Sequence, residues 1–204
     1  MIKRIAPWAG MLGPVLFTLP FTINGFLRPG YNPAQRYVSE LSIGPQGWIQ
    51  IVSFMLLGIS ILLFVPGLKA SFPTGKASRA VPILFMMIAV CYFLSGPFAT
   101  DSMAMFDNRQ TLHSTLHGIF WAIVSLSAAC CFVLWRRFRV DERWKPLSIP
   151  IFMAGIALVV LIVLMKIGQL QTSLLRNWAG VVQRCYLIVS YAWIFTISLR
   201  IKKS

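Results

Sequence analysis

The chain has 204 residues, of which 57% are hydrophobic and 12% are charged. Soluble globular domains carry about 25% charged residues, so this composition excludes an ordinary water-soluble domain. The formal net charge is +14, from 19 Lys and Arg against 5 Asp and Glu. A charge of this size would suit nucleic acid only if it were gathered on one surface, so its placement along the chain decides its meaning.

Six long stretches with almost no charge follow one another along the chain. Each has about 20 residues or more, enough to cross roughly 30 Å of hydrocarbon as a helix. Runs such as IFMAGIALVVLIVLM do not alternate apolar and polar residues, which favours helices over barrel strands. The sequence predicts an all-α bundle and a single transmembrane domain over residues 1–204, with spans at 7–27, 46–68, 80–99, 110–135, 146–167 and 178–199.

The basic residues are shared unequally between the two sides of these spans. One side receives 13 of the 19 Lys and Arg, namely Lys3, Arg4, Lys69, Lys76, Arg79, Arg136, Arg137, Arg139, Arg143, Lys145, Arg200, Lys202 and Lys203. The positive-inside rule therefore predicts that both termini are cytoplasmic. The basic excess is then a signal of topology, with membrane lipids as expected partners and no nucleic acid.

The loop after the first span reads RPGYNPAQRYVSELSIGPQGW and predicts a short outer helix over residues 33–42. Asn32 can serve as its N-cap, and Gln35 can reach back as the capping-box partner. Arg36 and Glu40 then share one face at i, i+4 and can pair. This helix either closes the outer end of the bundle or contributes Arg36 and Glu40 directly to a site.

The only two histidines, His113 and His117, open the fourth span. At i, i+4 their Cβ atoms lie roughly 6 Å apart on one helix face, a spacing that suits two ligands of one metal. His117 lies deep enough in the span that it is expected to face the bundle interior. Asp101 or Glu40 would complete a set that suits zinc with an open position for water. A hydrogen-bonded network and proton or ion handling are the alternatives.

Other polar residues near the outer side lie in the second outer loop and the last span. Asp107 or Asn108 can cap the fourth span. Arg184 lies about two turns inside the last span, where it can pair with an outer carboxylate or clamp an anionic headgroup. Gln183 beside it can hydrogen-bond across the same site.

The segments GYNPAQRYVSELSIGPQGW, GPFATDS…TLHSTLHG and GVVQR occur in this order on these spans. Together they resemble the bacterial and archaeal membrane family known as domain of unknown function 998, over nearly the whole chain. The resemblance implies a six-helix protein of the cytoplasmic (inner) membrane of a prokaryote, and it assigns no biochemical role.

A more distant resemblance is to membrane hydrolases that include alkaline ceramidases and adiponectin-receptor-like proteins. That superfamily places an HxxxH pair, another histidine, an aspartate and a serine around zinc. The counterparts here are His113 with His117, Asp101, and Ser39 or Ser42. The chain departs from the pattern because it has six predicted spans, no third histidine, and its HxxxH on the fourth span.

Three functions remain open at this point. The first is a zinc-dependent intramembrane hydrolase acting on a lipid-like or anionic substrate; the others are a proton-coupled carrier and a structural or regulatory membrane protein. No haem is expected, since two histidines on one helix face cannot ligate both sides of a haem. No nucleotide is expected either. The hydrolase assigns metal binding to His113, His117 and Asp101, catalysis to Glu40 and Asp101, and substrate contacts to Arg36, Ser39, Gln183 and Arg184.

Overall fold

The computed structural model describes residues 2–75, 77–102, 110–170 and 172–203, and the regular elements in these ranges are helices. The α-helices are α1 (Ile2–Leu27), α2 (Gly47–Ser71), α3 (Ala77–Leu94), α4 (Leu112–Val124), α5 (Ser127–Phe138), α6 (Ser148–Gly168) and α7 (Ala179–Lys202). Short 3-10 helices lie between them at Val38–Ser42, Lys145–Leu147 and Leu174–Trp178.

Within the described residues, 6 helices are long and apolar enough to cross a membrane. They run over Arg4–Leu27, Gly47–Ser71, Ala77–Leu94, Leu112–Phe138, Lys145–Gly168 and Leu174–Lys202. This confirms the predicted all-α chain with six membrane-capable helices. The third helix stops at Leu94, before the predicted end at 99, because Pro97 has no N–H to donate and disfavours helical geometry at Gly96.

The helices close into a ring around an aromatic centre. α1 packs on α2 and α7, α2 packs on α3, α3 packs on α5, and α6 packs on both α5 and α7. Phe17 of α1 makes ring contacts with Phe54, Tyr92 and Tyr191, which come from three other helices. These rings prefer edge-on and tilted contacts, which fill the centre of the bundle without stacking all the planes in parallel.

The fourth span is divided into two helices at Ser125 and Leu126. The amide of Leu126 donates to the Ile123 carbonyl at 2.9 Å, a tighter turn than an α-helix makes. The Tyr186 hydroxyl from α7 donates to the Val124 carbonyl at 3.2 Å, so this buried polar group is satisfied within the protein. Beyond the break the two halves pack differently: α4 lies on α3, whereas α5 lies on both α3 and α6.

The start of α1 and the end of α7 lie at one end of the bundle, which we name the terminal end. There the Lys202 Nζ lies 3.7 Å from the centre of the Trp8 ring. The opposite end is covered by residues 28–46, between α1 and α2, and we name this segment the cap and that end the cap end.

The cap differs from the helix predicted over residues 33–42, because a turn precedes a 3-10 helix. Asn32 begins the turn, and its Oδ1 accepts from the Ala34 amide at 3.0 Å. Tyr37 is extended, with ψ of 148°, and the 3-10 helix Val38–Ser42 follows. An α-helix does not form because carbonyls of the turn are bound by side chains of α7 instead of by the next helical turn.

Candidate functional site

Arg184 of α7 holds the first half of the cap by its backbone. Its Nη1 donates to the carbonyls of Pro33 at 2.6 Å, Arg36 at 3.1 Å and Gly180 at 3.0 Å, and its Nη2 donates to the Tyr31 hydroxyl at 2.8 Å. A guanidinium offers five N–H donors in a rigid fork, which suits this clamp. In the described part of the chain Arg184 therefore acts on the cap backbone, and the predicted carboxylate pairing is absent there.

Arg28 holds the second half of the cap in the same way. Its Nη1 donates to the carbonyls of Glu40 at 3.3 Å and Leu41 at 3.2 Å, and its Nη2 donates to that of Ile43. Gln183 joins the two halves, since its Oε1 accepts from the Val38 amide at 2.6 Å. The predicted contact residue Gln183 thus orders the cap through its oxygen.

Gly180 allows the cap to sit directly on the start of α7. A Cβ on Gly180 would lie 2.4 Å from the carbonyl oxygens of both Pro33 and Arg36. The neighbouring Val181 amide donates to the Ala34 carbonyl at 3.1 Å. Only glycine permits this close approach without moving the cap.

Glu40 is buried under the cap and serves its fold. Its Oε2 lies 3.3 Å from Arg36 Nη1, which is the ion pair predicted from their spacing. Its Oε1 accepts from the Tyr37 amide at 3.0 Å, so Glu40 takes the capping role that was predicted for Gln35. The carboxylate is 2% exposed, and these bonds to charged and polar donors stabilise it there.

Asp101 organises the start of α4. Its Oδ2 accepts from the Thr111 amide at 2.8 Å, and its Oδ1 accepts from the Thr111 hydroxyl at 3.0 Å. Thr111 in turn is the N-cap of α4, since its Oγ1 accepts from the Ser114 amide at 3.2 Å. The predicted caps Asp107 and Asn108 lie outside the described residues.

Both histidines contact Phe98. His117 is buried, its Nδ1 lies 2.8 Å from the Phe98 carbonyl oxygen, and its ring meets Phe54 edge-on at 5.8 Å. His113 is exposed and lies against the Phe98 ring at 5.4 Å. A carbonyl can only accept, so Nδ1 of His117 donates this bond, and Nε2 is an acceptor when the ring is neutral.

The predicted zinc set is not assembled. Among the described residues there is no group of three or more His, Cys, Asp or Glu that could hold a metal ion. Both oxygens of Asp101 are bonded to Thr111, and Glu40 is bonded within the cap. The geometry therefore gives no support to zinc at His113, His117 and Asp101.

A cavity of about 500 Å³ opens between α4, α6 and α7, beneath the cap. The space is open because α4 lies on α3, whereas α5, the other half of the fourth span, lies against α6. Its lining includes Tyr37, Ser39, Ser114, His117, Gln169 and Gln183 on the polar side, and Ile119, Trp121, Ala122 and Met165 on the apolar side. Volumes of roughly 300–1,000 Å³ are typical of small-molecule sites.

Comparison with protein families gives one decisive result. A model for proteins of unknown function, DUF998, matches residues 11–200. The chain belongs to this family. Neither the curated proteins nor the solved structures contain a match to this DUF998 chain.

The DUF998 chain brings only part of the predicted site to the cavity. His117, Ser39 and Gln183 line it, whereas Arg36 and Glu40 border a separate, smaller cleft beside Arg28. This cleft has a volume of about 190 Å³, and Tyr31 lines it together with Arg36 and Glu40. The catalytic and substrate-binding roles of all these residues stay predictions.

Sequence reasoning missed several cavity residues of this DUF998 protein. Ser114 is buried and lies one turn before His117, so the helical period alone places both on one face. The Tyr37 hydroxyl is buried, and no hydrogen bond of normal length joins it to a described residue. Lys166 and Gln169 end α6 at the cavity, and no sequence signal links them to α4.

Burial controls the protonation of Tyr37. Burial raises the pKa of the Tyr37 hydroxyl, and the nearby Gln169 amide lowers that pKa by a smaller amount. Tyr37 therefore stays protonated at neutral pH and offers an unused donor to the cavity.

Proposed function

We propose that this DUF998 protein binds an amphipathic molecule of the membrane in the cavity beneath the cap, and that the molecule carries an anionic, acceptor-rich headgroup. The observation that carries this proposal is the set of donors that line the cavity, above all the buried and unpaired Tyr37 hydroxyl. An unpaired buried hydroxyl costs roughly 1–3 kcal/mol, which an acceptor in the cavity would recover.

The charges of the cavity favour an anion. Lys166 is an exposed cation on the wall, and no Asp or Glu is found among the described lining residues. Gln183 uses its oxygen for the Val38 amide, so its NH₂ group remains as a donor. Phosphate and carboxylate groups match this surplus of donors.

The apolar side of the cavity suits a hydrocarbon tail. Ile119, Trp121 and Ala122 on α4 face Met165 on α6 across the cavity. A ligand can pass between α4 and α6 from the membrane, because α4 packs on α3 rather than on α6. The combination of a polar roof and an apolar wall supports a lipid-like ligand over a fully soluble one.

The proposed orientation places the cap end on the outer side of a prokaryotic cytoplasmic membrane. Clusters of basic residues flank the spans at the terminal end, including Arg136, Arg137 and Arg139 after α5. The positive-inside rule then favours cytoplasmic termini and an outward-facing cavity. The site would take its ligand from the outer leaflet.

The binding proposal is tested by calorimetry on the protein in lipid nanodiscs. Dodecyl phosphate should bind more tightly than dodecyltrimethylammonium, which has the same chain and the opposite charge. Lys166→Gln should weaken the phosphate probe about fivefold and Tyr37→Phe about tenfold, because each removes one donor. Lys69→Gln at the terminal end is the matched control. Equal binding of both probes, or no effect of either cavity substitution, would refute the proposal.

Ester hydrolysis without a metal is the second candidate function, favoured by one observation. Ser114 and His117 are both buried, lie one turn apart and line the same cavity, and the Nε2 of neutral His117 is an acceptor. His117 would then act as a general base towards a water or the Ser114 hydroxyl. The carrier and the purely structural role stay predictions that these contacts do not favour.

Release of p-nitrophenol from its decanoate ester tests this candidate. His117→Gln should abolish turnover and leave probe binding in place, whereas His113→Gln, on an exposed side chain of the same helix, should retain turnover. Activity that is independent of His117 would exclude the general-base role. Activity that is lost with EDTA and restored by zinc would instead support the metal-dependent prediction.

A further inference from the structure

A second cavity lies at the cap end, on the other side of α7. It has a volume of about 460 Å³ and is bounded by Phe21, Thr22 and Phe26 of α1, by the cap, and by Val181, Arg184 and Ile188 of α7. Gln183 and Arg184 are adjacent on α7, so they point in directions about 100° apart and serve different cavities. This second cavity shares none of its lining with the cavity beneath the cap.

A third cavity continues in the same direction toward the terminal end. It has a volume of about 270 Å³, and its lining includes Ile151 and Ala154 of α6 and Ile188, Ala192 and Thr196 of α7. Ile188 lines both cavities, so they are neighbours along α7. We name the two together the α7 groove.

The α7 groove has the dimensions and surface of a site for one acyl chain. From Arg184 to Thr196 the helix rises about 18 Å, slightly more than half of a hydrocarbon core of roughly 30 Å. The Thr196 and Thr22 hydroxyls donate to carbonyls of their own helices, at 2.8 Å and 2.7 Å, which leaves their methyl groups to face apolar surroundings. Ile188 at the centre is 59% exposed on the surface of the bundle.

Arg184 provides a charge at the cap end of the groove. It makes no ion pair with any described residue, although its guanidinium is half-buried. Its hydrogen bonds to the described residues use Nη1 and one hydrogen of Nη2, which leaves Nε–H and the second Nη2 hydrogen of the five donors. An anionic partner would stabilise this charge beyond the carbonyls that Arg184 already binds, and a phosphate accepts bonds from two guanidinium hydrogens at once.

We infer that the α7 groove binds one phospholipid, with its phosphate at Arg184 and one acyl chain along Ile188, Ala192 and Thr196. The phosphate supplies the counter-charge that the described residues do not provide. The apolar groove favours a membrane lipid over free phosphate, because only a lipid has an acyl chain that can cover the apolar surface of the groove. This site is separate from the cavity beneath the cap and does not depend on the function proposed for it.

The test is native mass spectrometry of the detergent-released protein with added lipids. Phosphatidylglycerol should be retained at one molecule per chain, whereas monogalactosyldiacylglycerol, which has similar chains and no phosphate, should be retained about tenfold less. Inorganic phosphate alone should not bind. Ile188→Trp fills the groove without touching the bonds of Arg184, and it should reduce the retained phospholipid about tenfold.

Ile83→Trp is the matched control, because Ile83 is an exposed isoleucine of α3 outside the groove, and it should retain lipid as the wild type does. Arg184→Gln should remove the preference for phosphate, and Ile188→Trp decides the question if that variant does not fold. Equal retention of the two lipids, or full retention by Ile188→Trp, would overturn the assignment.

Discussion

The loops at the cap end and the terminal end of this protein are held by similar bonds, but the side chains beneath them differ. At each end an arginine of α7 holds a loop by a backbone carbonyl, Arg184 in the cap and Arg200 at the other end, where it donates to the Arg143 carbonyl at 2.6 Å. An Arg–acid pair at i, i+4 also stabilises each loop. The pairs are Arg36 with Glu40 and Arg137 with Asp141, at 3.3 Å and 2.9 Å.

The side chains beneath the two loops differ in chemistry. At the terminal end Trp144 is fully buried and stacks on Phe138 at 5.0 Å and against Phe72 at 5.1 Å. At the cap end the space beneath the loop is lined by Tyr37, His117 and Gln183. Aromatic rings fill volume without direction, whereas polar groups need partners in fixed positions and leave donors unused when those partners are missing. This contrast is the reason that the ligand proposed above is placed at the cap end.

The largest expected loss of stability is at the aromatic stack around Trp144. Trp144→Ala should lower the free energy of unfolding by about 3–5 kcal/mol, because it removes a fully buried ring from a packed stack. Thermal unfolding in detergent measures the loss, with the exposed Trp48→Ala as control. A loss as small as that of the control would mean that the stack does not hold the terminal end.

The next effect should come from the contact between the cap and α7. Gly180→Ala should cost about 2–4 kcal/mol, since the new Cβ collides with two cap carbonyls that cannot both move without breaking the Arg184 clamp. Gly118→Ala on α4 is the matched helical control, because nothing lies within 4 Å of its Cβ position. Protease cleavage within residues 28–46 should increase in the first variant only. Equal stability of the two variants would argue against a tightly docked cap.

The two ion pairs should differ in strength because their carboxylates differ in burial. Glu40→Ala should cost about 2 kcal/mol, since the buried carboxylate also accepts from the Tyr37 amide. Asp141→Ala should cost about 1 kcal/mol or less, because the Asp141 carboxylate is 20% exposed, against 2% for Glu40, and water can replace its partners. Denaturant unfolding at low and high salt compares the two, and the Asp141 pair should be the more sensitive to salt. The reverse order would contradict the buried placement of Glu40.

A similarly small effect should appear at the start of α4. Asp101→Ala should cost about 1 kcal/mol through loss of the bonds to Thr111, and Asp101→Asn should recover part of it because one acceptor remains. Hydrogen exchange of the first turn of α4 reports the change locally. Zinc bound stoichiometrically to the wild type and lost in Asp101→Asn would instead restore the predicted metal role of this carboxylate.

Local rules in the sequence predicted a good part of the cap. The Arg36–Glu40 pair forms as its spacing predicts, although the segment is a turn and a 3-10 helix. The capping partner was assigned to Gln35 because an α-helix was assumed to begin at Asn32. The carbonyl bonds of Arg184 connect positions about 150 residues apart in the chain, and no local pattern contains such a contact.

The histidine pair shows the same division between local and tertiary information. The helical period predicts that His113 and His117 share one helix face, and the depth of His117 correctly predicts that it is buried, whereas His113 is exposed. Whether a carboxylate reaches the histidines depends on the path of the loop after α3, which the helical period does not predict. Asp101 meets Thr111 there and caps a helix, which satisfies both of its oxygens.

The sequence by itself determined the number of spans, because hydrophobic length and charge-free composition are properties of each segment alone. Tertiary structure decided where the polar groups of those segments meet. The break at Ser125 and Leu126 directs α4 onto α3 and opens the cavity beneath the cap. Arg184, predicted as a substrate contact, became a clamp on the cap because backbone carbonyls from a distant loop reach it. Such contacts depend on packing between helices, which hydropathy does not encode.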